Sequence, residues 1–268
     1  MRVHPVIFRI GNVEFYSYGL MLGLGYVAGV LVASWMARKR GIDPDSLFWF
    51  FVLLLVAGVA GGRIAYVALY PWYYRDGLLS ALNIRDGGLS MHGVLAGGIA
   101  AVAAYAKTKK IPMPRLLDII APGIIIGQSI GRIGCYLNGC CYGIPTEGTW
   151  GCMTRYAPLL RHPYQLYESG ADFLIFLGLL WLSSRVKREG DLFLAYLGSY
   201  SFARFFLEFF RDNESYVFGL SYGQVASAAL VVLSLVLAFI GKRQARVAEN
   251  PEMMAQEVPG RDRDGQLG

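Results

Sequence analysis

The chain alternates between long apolar runs and short polar junctions. Seven runs approach the roughly 20 residues that a helix needs to cross a bilayer. They cover 18–35, 48–70, 93–106, 116–137, 171–184, 192–210 and 222–240. The third and fifth are short, and are predicted to borrow flanking residues or to lie partly as re-entrant segments. Backbone in hydrocarbon must satisfy its own hydrogen bonds, and the alternation of barrel strands is absent, so the runs read as helices. The expected fold is all-α and polytopic, with about seven transmembrane helices.

Composition narrows the class further. Hydrophobic residues make up 55% of the 268 and charged residues only 16%, where soluble domains carry about a quarter charged. This excludes a largely disordered chain, a small disulfide scaffold and an ordinary soluble enzyme. The net charge of +6 would suggest nucleic acid in a soluble protein. In a membrane protein its placement matters more, and no nucleic-acid partner is expected.

The basic residues lie at alternate junctions. Arg38, Lys39 and Arg40 follow the first run, and Lys107, Lys109, Lys110 and Arg115 separate the third from the fourth. Arg185, Lys187 and Arg188 follow the fifth, and Lys242, Arg243 and Arg246 follow the seventh. Every lysine falls on that side. The opposite side carries a thinner set: Arg2, Arg9, Arg75, Arg85, Arg155, Arg161 and Arg211. The positive-inside rule predicts a cytoplasmic basic side, the N-terminus outside and the C-terminus inside. No cleavable signal peptide is expected, because residues 1–16 lack a continuous apolar stretch. Residues 1–246 read as one integral-membrane domain, and 247–268 as a disordered cytoplasmic tail.

Three arginines do not belong to the loops. Arg63, Arg132 and Arg204 sit inside or at the outer ends of apolar runs, where a guanidinium costs about 2.5–3.5 kcal/mol on insertion scales. Each needs a partner, water or an anion, and the bland account is snorkelling to the interface. Tyr200, Arg204 and Glu208 recur at four-residue intervals on one helical face, with Arg211 close to it. Glu208 is therefore expected to hold Arg204 while its guanidinium meets an anion, a task that suits a planar bidentate fork. Arg132 closes a run with Gly123, Gly127 and Gly131 at the same spacing, a groove for a neighbouring helix or a lipid chain. Arginines from two helices near the outer leaflet could clamp one phosphate, and the phosphate a bilayer offers is a phospholipid headgroup.

The histidines His4, His92 and His162 all fall on the outer side. His92 follows the glycine-rich stretch Asp86-Gly87-Gly88-Leu89-Ser90-Met91 and is a candidate general base. His162 precedes Pro163, where a histidine is commonly structural. Cys135, Cys140, Cys141 and Cys152 also lie near the outer face. Their spacing is not the paired pattern of a metal site, so no metal is expected. Free thiols or a disulfide, such as Cys152 with Cys140 or Cys141, remain open.

Taken together and in order, these segments resemble the bacterial prolipoprotein diacylglyceryl transferases over nearly the whole chain. The matching segments are His4-Pro5-Val6-Ile7-Phe8, Tyr18-Gly19-Leu20-Met21, Gly61-Gly62-Arg63-Ile64, Asp86 to Gly93, Gly131-Arg132-Ile133-Gly134, Arg161 to Glu168, and Arg204 with Glu208-Phe209-Phe210-Arg211. The family signature, roughly G-R-x-G-N-F-x-N-x-E-x-x-G, falls on Gly131 to Gly143. Arg132, Asn138 and Gly143 match it, whereas Cys135, Tyr136 and Cys140 replace its first Asn, its Phe and its Glu. A carboxylate role does not carry over to Cys140.

The resemblance implies an enzyme of the bacterial plasma (inner) membrane with its active site toward the outer, periplasmic face. It would move the diacylglyceryl group of phosphatidylglycerol to the lipobox cysteine of a prolipoprotein, forming a thioether and releasing glycerol phosphate. It implies no metal and no organic cofactor. The expected catalytic residues are His92, Arg132, Arg204 and Tyr200. Arg132 and Arg204 would hold the phosphate, His92 would assist deprotonation of the thiol, whose free pKa is about 8.5, and Tyr200 would orient the headgroup. The expected substrate-binding set is Tyr18, Arg63, Asn138, Gly143, His162 and Glu208. The alternatives are a non-catalytic phospholipid-binding or flipping protein, and a thiol-redox protein built on Cys140 and Cys141.

Overall fold

The fold comes from a computed structural model that describes residues 5–11, 13–74, 87–154, 157–212, 216–217 and 219–249. The described residues form seven α-helices: α1 Ser17–Lys39, α2 Pro44–Leu69, α3 Met91–Lys109, α4 Met113–Asn138, α5 Tyr164–Ser183, α6 Asp191–Leu207 and α7 Tyr222–Glu249. Five are long and apolar enough to cross a membrane, over Ser17–Lys39, Leu47–Leu69, Met113–Asn138, Tyr164–Ser183 and Tyr222–Ala245. The short helices are α3, with 19 residues, and α6, with 17.

The fifth run borrows flanking residues, as one reading of it expected, and two other expectations are corrected. Its helix begins at Tyr164, well before residue 171, because the polar residues of its first turns face inward. Gln165, Glu168, Ser169 and Asp172 are all buried, so hydropathy misread them as loop. The sixth helix stops at Leu207 and passes into a 3-10 turn, Glu208–Phe210. The chain is also not purely α. Short antiparallel hairpins join β1 Val6–Ile10 to β2 Val13–Tyr16, β3 Cys152–Thr154 to β4 Ala157–Arg161, and β5 Tyr216–Val217 to β6 Leu220–Ser221. All three lie beyond the apolar runs, next to the start of α1, α5 or α7, where extended backbone can pair locally. Of the expected disordered tail, 247–249 continue α7 and 250–268 lie outside the described residues.

Local chemistry sets the helix ends. Asp43 caps α2 by accepting from Asp45 N at 3.2 Å, with Pro44 at the first helical position, where a missing N–H is harmless. Gly139 ends α4 in the left-handed conformation at φ +76°, which a residue without Cβ adopts at little cost.

α1 packs antiparallel on α4, and its backbone touches. A Cβ on Gly25 would stand 2.8 Å from Gly127 O, and one on Gly29 would stand 2.8 Å from Gly123 O. The spacing of Gly123 and Gly127 thus serves helix packing. Gly131, one turn on, has open space where its Cβ would be. All three glycines of the stripe border the groove described below, but only Gly123 and Gly127 also close the seam with α1.

The apolar core gathers at the end that carries the basic junctions. Met36, Ala37, Leu47, Phe50, Leu116, Ile119 and Leu192 are essentially inaccessible there. Asp118 is 0% exposed among them. It accepts from Arg40 Nη1 at 2.9 Å, Gly190 N at 2.9 Å and Phe193 N at 2.8 Å. One carboxylate therefore fastens the end of α1 and the start of α6 to α4. At the same end Lys39 lies over Trp35 and Arg185 over Trp181, 3.7 and 3.8 Å from the ring centroids. Such pairs belong where an apolar surface meets water.

Candidate active site

A cavity of about 410 Å³ runs between α1, α2, the first residue of α3, and α4. Its walls are apolar through Leu22, Val30, Phe51, Leu54 and Ile124, and it reaches Gln128 and Arg132 at the other end. At 1.5 Å per residue, the stretch of α4 from Ile120 to Arg132 spans about 18 Å. The shape is a long apolar groove with one guanidinium at its head.

Arg132 does not stand alone. Its Nη2 is 2.8 Å from Glu168 Oε1, and Nε of Arg204 is 3.9 Å from the same oxygen. Glu168, only 1% exposed, thus sits between arginines of α4 and α6. Arg204 also pairs with Glu208 and hydrogen-bonds the Tyr164 hydroxyl. Glu208 accepts from Ser221 Oγ at 3.1 Å and lies 3.8 Å from Arg211 Nη1. Neither oxygen of Glu168 has an aligned hydrogen bond among the described residues, nor has Asp172 Oδ2 one turn on. Glu168 is held by charge rather than by directed donors. Such a buried carboxylate is destabilised if its arginines leave and nothing replaces them.

The expected residues fall into three groups. Arg132 and Tyr18 line the groove. Arg204, Glu208 and Tyr200 stand behind Arg132: Tyr200 feels the charges of Glu168 and Arg132 and stacks on Tyr196 at 6.1 Å. Tyr196 in turn donates to Gln128 Oε1 at 3.1 Å in the groove wall. Of the remaining residues, Arg63 lies in α2, His92 at the start of α3 and Asn138 at the end of α4, while Gly143 and His162 lie between α4 and α5. Arg63 donates to the carbonyls of Gly87 and Gly88 at 2.7 and 3.0 Å and lies 5.2 Å from the Tyr74 ring centroid. Its guanidinium therefore fixes the loop before α3. Gly88 is required there, since at φ +84° a Cβ would stand 2.7 Å from both Arg63 and the Tyr66 ring. That loop leads to His92, which is exposed at the second position of α3. Met91 beside it lines the groove, and His92 is not among the lining residues described. Asp86 and His4 lie outside the described residues.

Gly143 and His162 hold the segment between α4 and α5. Gly143 N donates to His162 O at 3.0 Å, and a Cβ on Gly143 would come within 2.8 Å of His162 Cβ. His162 Nδ1 lies 3.1 Å from the Tyr167 hydroxyl, and its ring meets Phe210 at 5.6 Å. Both contacts suit a junction residue.

The cysteines are arranged unexpectedly. All four are free. Cys152 is buried, with Sγ 3.4 Å from the Tyr136 hydroxyl, whereas the Cys135, Cys140 and Cys141 thiols lie within 4.8 Å of one another. Of the two alternatives left open, free thiols are present and the pairing of Cys152 with Cys140 or Cys141 is not formed. The Cys140 thiol, beyond the end of α4, is pulled below the ordinary thiol range by hydrogen bonds from Cys135 and Cys141, with a further one from Asn138.

Glu168 and Tyr164 were the residues that sequence reasoning passed over. The available signal was a four-residue polar stripe, Tyr164, Glu168 and Asp172, leading into an apolar run. It repeats the pattern that singled out Tyr200, Arg204 and Glu208.

The chain matches the family model of prolipoprotein diacylglyceryl transferase over residues 5–240. It is 31% identical over 255 residues to the phosphatidylglycerol–prolipoprotein diacylglyceryl transferase of Clostridium botulinum strain Langeland, which covers 91% of this chain and 100% of that one. The enzyme of the same name from Clostridium tetani is 32% identical over 86% of this chain and 95% of its own. That from Geobacter sulfurreducens is 34% identical over 90% and 96%.

Proposed function

The chain belongs to the prolipoprotein diacylglyceryl transferase family, and we propose that it performs the family's transfer at the head of the apolar groove. It is a diacylglyceryl transferase of lipoprotein biosynthesis, with phosphatidylglycerol as donor and a prolipoprotein as acceptor. The observation that carries the assignment of the site is the polarity of the groove: an apolar length that suits an acyl chain, ending on Arg132 with Glu168 and Arg204 behind it.

In this reading the donor lies with a chain along Ile124, Leu54 and Val30 and its phosphate at Arg132. The acceptor cysteine loses its proton to His92, and the thiolate attacks the glycerol carbon that bears the phosphate ester. The new C–S bond forms as the C–O bond breaks, and the electron pair of that bond stays on the departing glycerol phosphate. Arg132 offsets the charge that builds on the leaving oxygen, and Arg204 joins it through Glu168. Glu208 and Tyr164 position Arg204, and Tyr200 supports the headgroup side. Tyr18 lines the groove, and Asn138 ends α4 beyond Arg132 on the headgroup side. Arg63 acts through the Gly87–Gly88 loop that carries His92, while Gly143 and His162 shape the loop where the acceptor peptide approaches.

The same reading sets the seven helices across the bacterial plasma (inner) membrane, with the N-terminus outside, the C-terminus in the cytoplasm and the groove's head at the outer face. The basic junctions and the Lys39–Trp35 and Arg185–Trp181 pairs support that orientation. The test supplies the purified protein with phosphatidylglycerol and a lipobox peptide. Glycerol phosphate should be released only when the peptide carries its cysteine. Lipid bound without release would leave a phospholipid carrier in place of an enzyme.

A further inference from the structure

The convergence of Cys135, Cys140 and Cys141 is not used by the transfer chemistry. Cys135 sits in the last turn of α4, three residues after Arg132, and lines the same groove. Gly139 then turns the chain back at φ +76°, and Cys141 adopts φ +59°. A left-handed conformation is uncommon for a residue with a Cβ, and where it persists the surroundings usually enforce it. Here the loop is pinned from outside: Cys140 N donates to Cys135 O at 3.2 Å, and Gln165 Nε2 of α5 donates to Cys140 O. The three thiols end within 4.8 Å of one another.

Thiolates bound about 2.3 Å from a common ion stand about 4 Å apart, so a small contraction of this cluster would suffice. All three donors are soft, and they come from a fixed loop. Cys135 and Cys140 are half-buried and Cys141 is exposed, beside Arg132, which lies within electrostatic reach of Cys135 and offsets the negative charge that several thiolates around one ion leave behind. We propose that Cys135, Cys140 and Cys141 form a three-thiolate site for a thiophilic d10 cation, zinc(II) or copper(I), at the mouth of the groove. The C-x4-C-C spacing concealed it, because the usual signature seeks two separated pairs, whereas here a helix end supplies one ligand and the turn after it supplies two.

The experiment uses full-length protein in detergent, purified under reductant with chelator and titrated with cobalt(II). A thiolate-to-cobalt charge-transfer band should rise and saturate at one ion per chain. Competition with zinc(II) and with copper(I) under anaerobic conditions then ranks the two ions. C135S, C140S and C141S should each weaken cobalt binding by at least about a hundredfold, more than a lost outer-shell partner does, while C152S should bind as the parent does. Should a variant fail to fold, the parent still decides the matter. Bound zinc(II) or copper(I) should protect Cys135, Cys140 and Cys141, but not Cys152, from alkylation read by mass spectrometry after digestion. Absence of the band, a band that survives in C140S, equal labelling with and without metal, or a Cys135–Cys140 disulfide that excludes metal would each overturn the site.

Discussion

The two ends of the helix bundle each bury a carboxylate against arginine, and they handle it differently. At the basic end Asp118 receives one charged and two backbone donors at 2.8–2.9 Å. Both its oxygens are occupied and three helices depend on it. At the other end Glu168 is equally inaccessible, yet it meets Arg132 and Arg204 without an aligned hydrogen bond. Saturated directional bonding makes a lock. Charge contact without it makes a looser clamp. The groove opens onto the second arrangement, and in the proposed reading the same residue types serve stability at one end and chemistry at the other.

The largest expected effect on turnover comes from breaking the clamp. Arg132→Lys retains the charge but loses the planar fork, and turnover should fall about 10²–10³-fold, the range seen when one donor to a developing oxyanion is removed. Arg204→Lys should fall in the same direction. Thermal unfolding in detergent should change little for either variant, and if turnover stays normal the fork has no bidentate role.

Breaking the lock should do the opposite. Asp118→Ala removes one partner of a buried pair and strands Arg40, a change that typically costs about 3–5 kcal/mol. Its thermal midpoint should drop sharply, while turnover per folded molecule stays near the parent's. A selective loss of turnover would erase the contrast between the two ends.

A smaller effect separates the two uses of the glycine stripe. Gly131→Leu projects into open space and should raise the KM for phosphatidylglycerol about tenfold, equivalent to 1.4 kcal/mol, with kcat nearly retained. Gly127→Leu meets the α1 backbone and should instead lower stability. If both variants behave alike, the stripe is packing throughout.

The smallest expected effect lies at the loop. Arg63→Lys still offers a donor to Gly87 and Gly88 but not their simultaneous capture. Activity should fall only a few-fold, about 1 kcal/mol for a weakened hydrogen bond, and a metal-free pH profile should keep its shape.

Much of this architecture could be read from residue order. Long apolar runs marked α1, α2, α4 and α7, because residues facing lipid or core carry little polarity. The pairing of Arg204 with Glu208 followed from helical spacing. The start of α5 did not, because a helix that turns Glu168, Ser169 and Asp172 inward has the hydropathy of a loop. Glu168, central to the proposed site, was hidden by its own polarity. The meeting of Arg132 with Glu168 and Arg204 depends on how α4, α5 and α6 pack, which no local period encodes. The cysteine cluster was missed for a related reason: two left-handed residues fold a spacing that looks wrong in one dimension into three adjacent thiols.

The central claim is that Glu168 holds two arginines ready for a phospholipid phosphate. It is tested most directly by the single-turnover release of glycerol phosphate from phosphatidylglycerol with a lipobox peptide, comparing Glu168→Gln with the parent. Glutamine keeps the shape and removes the charge that gathers Arg132 and Arg204, so release should slow by about a hundredfold or more, while the parent releases only with the cysteine-bearing peptide. Release by Glu168→Gln at the parent's rate would contradict the account.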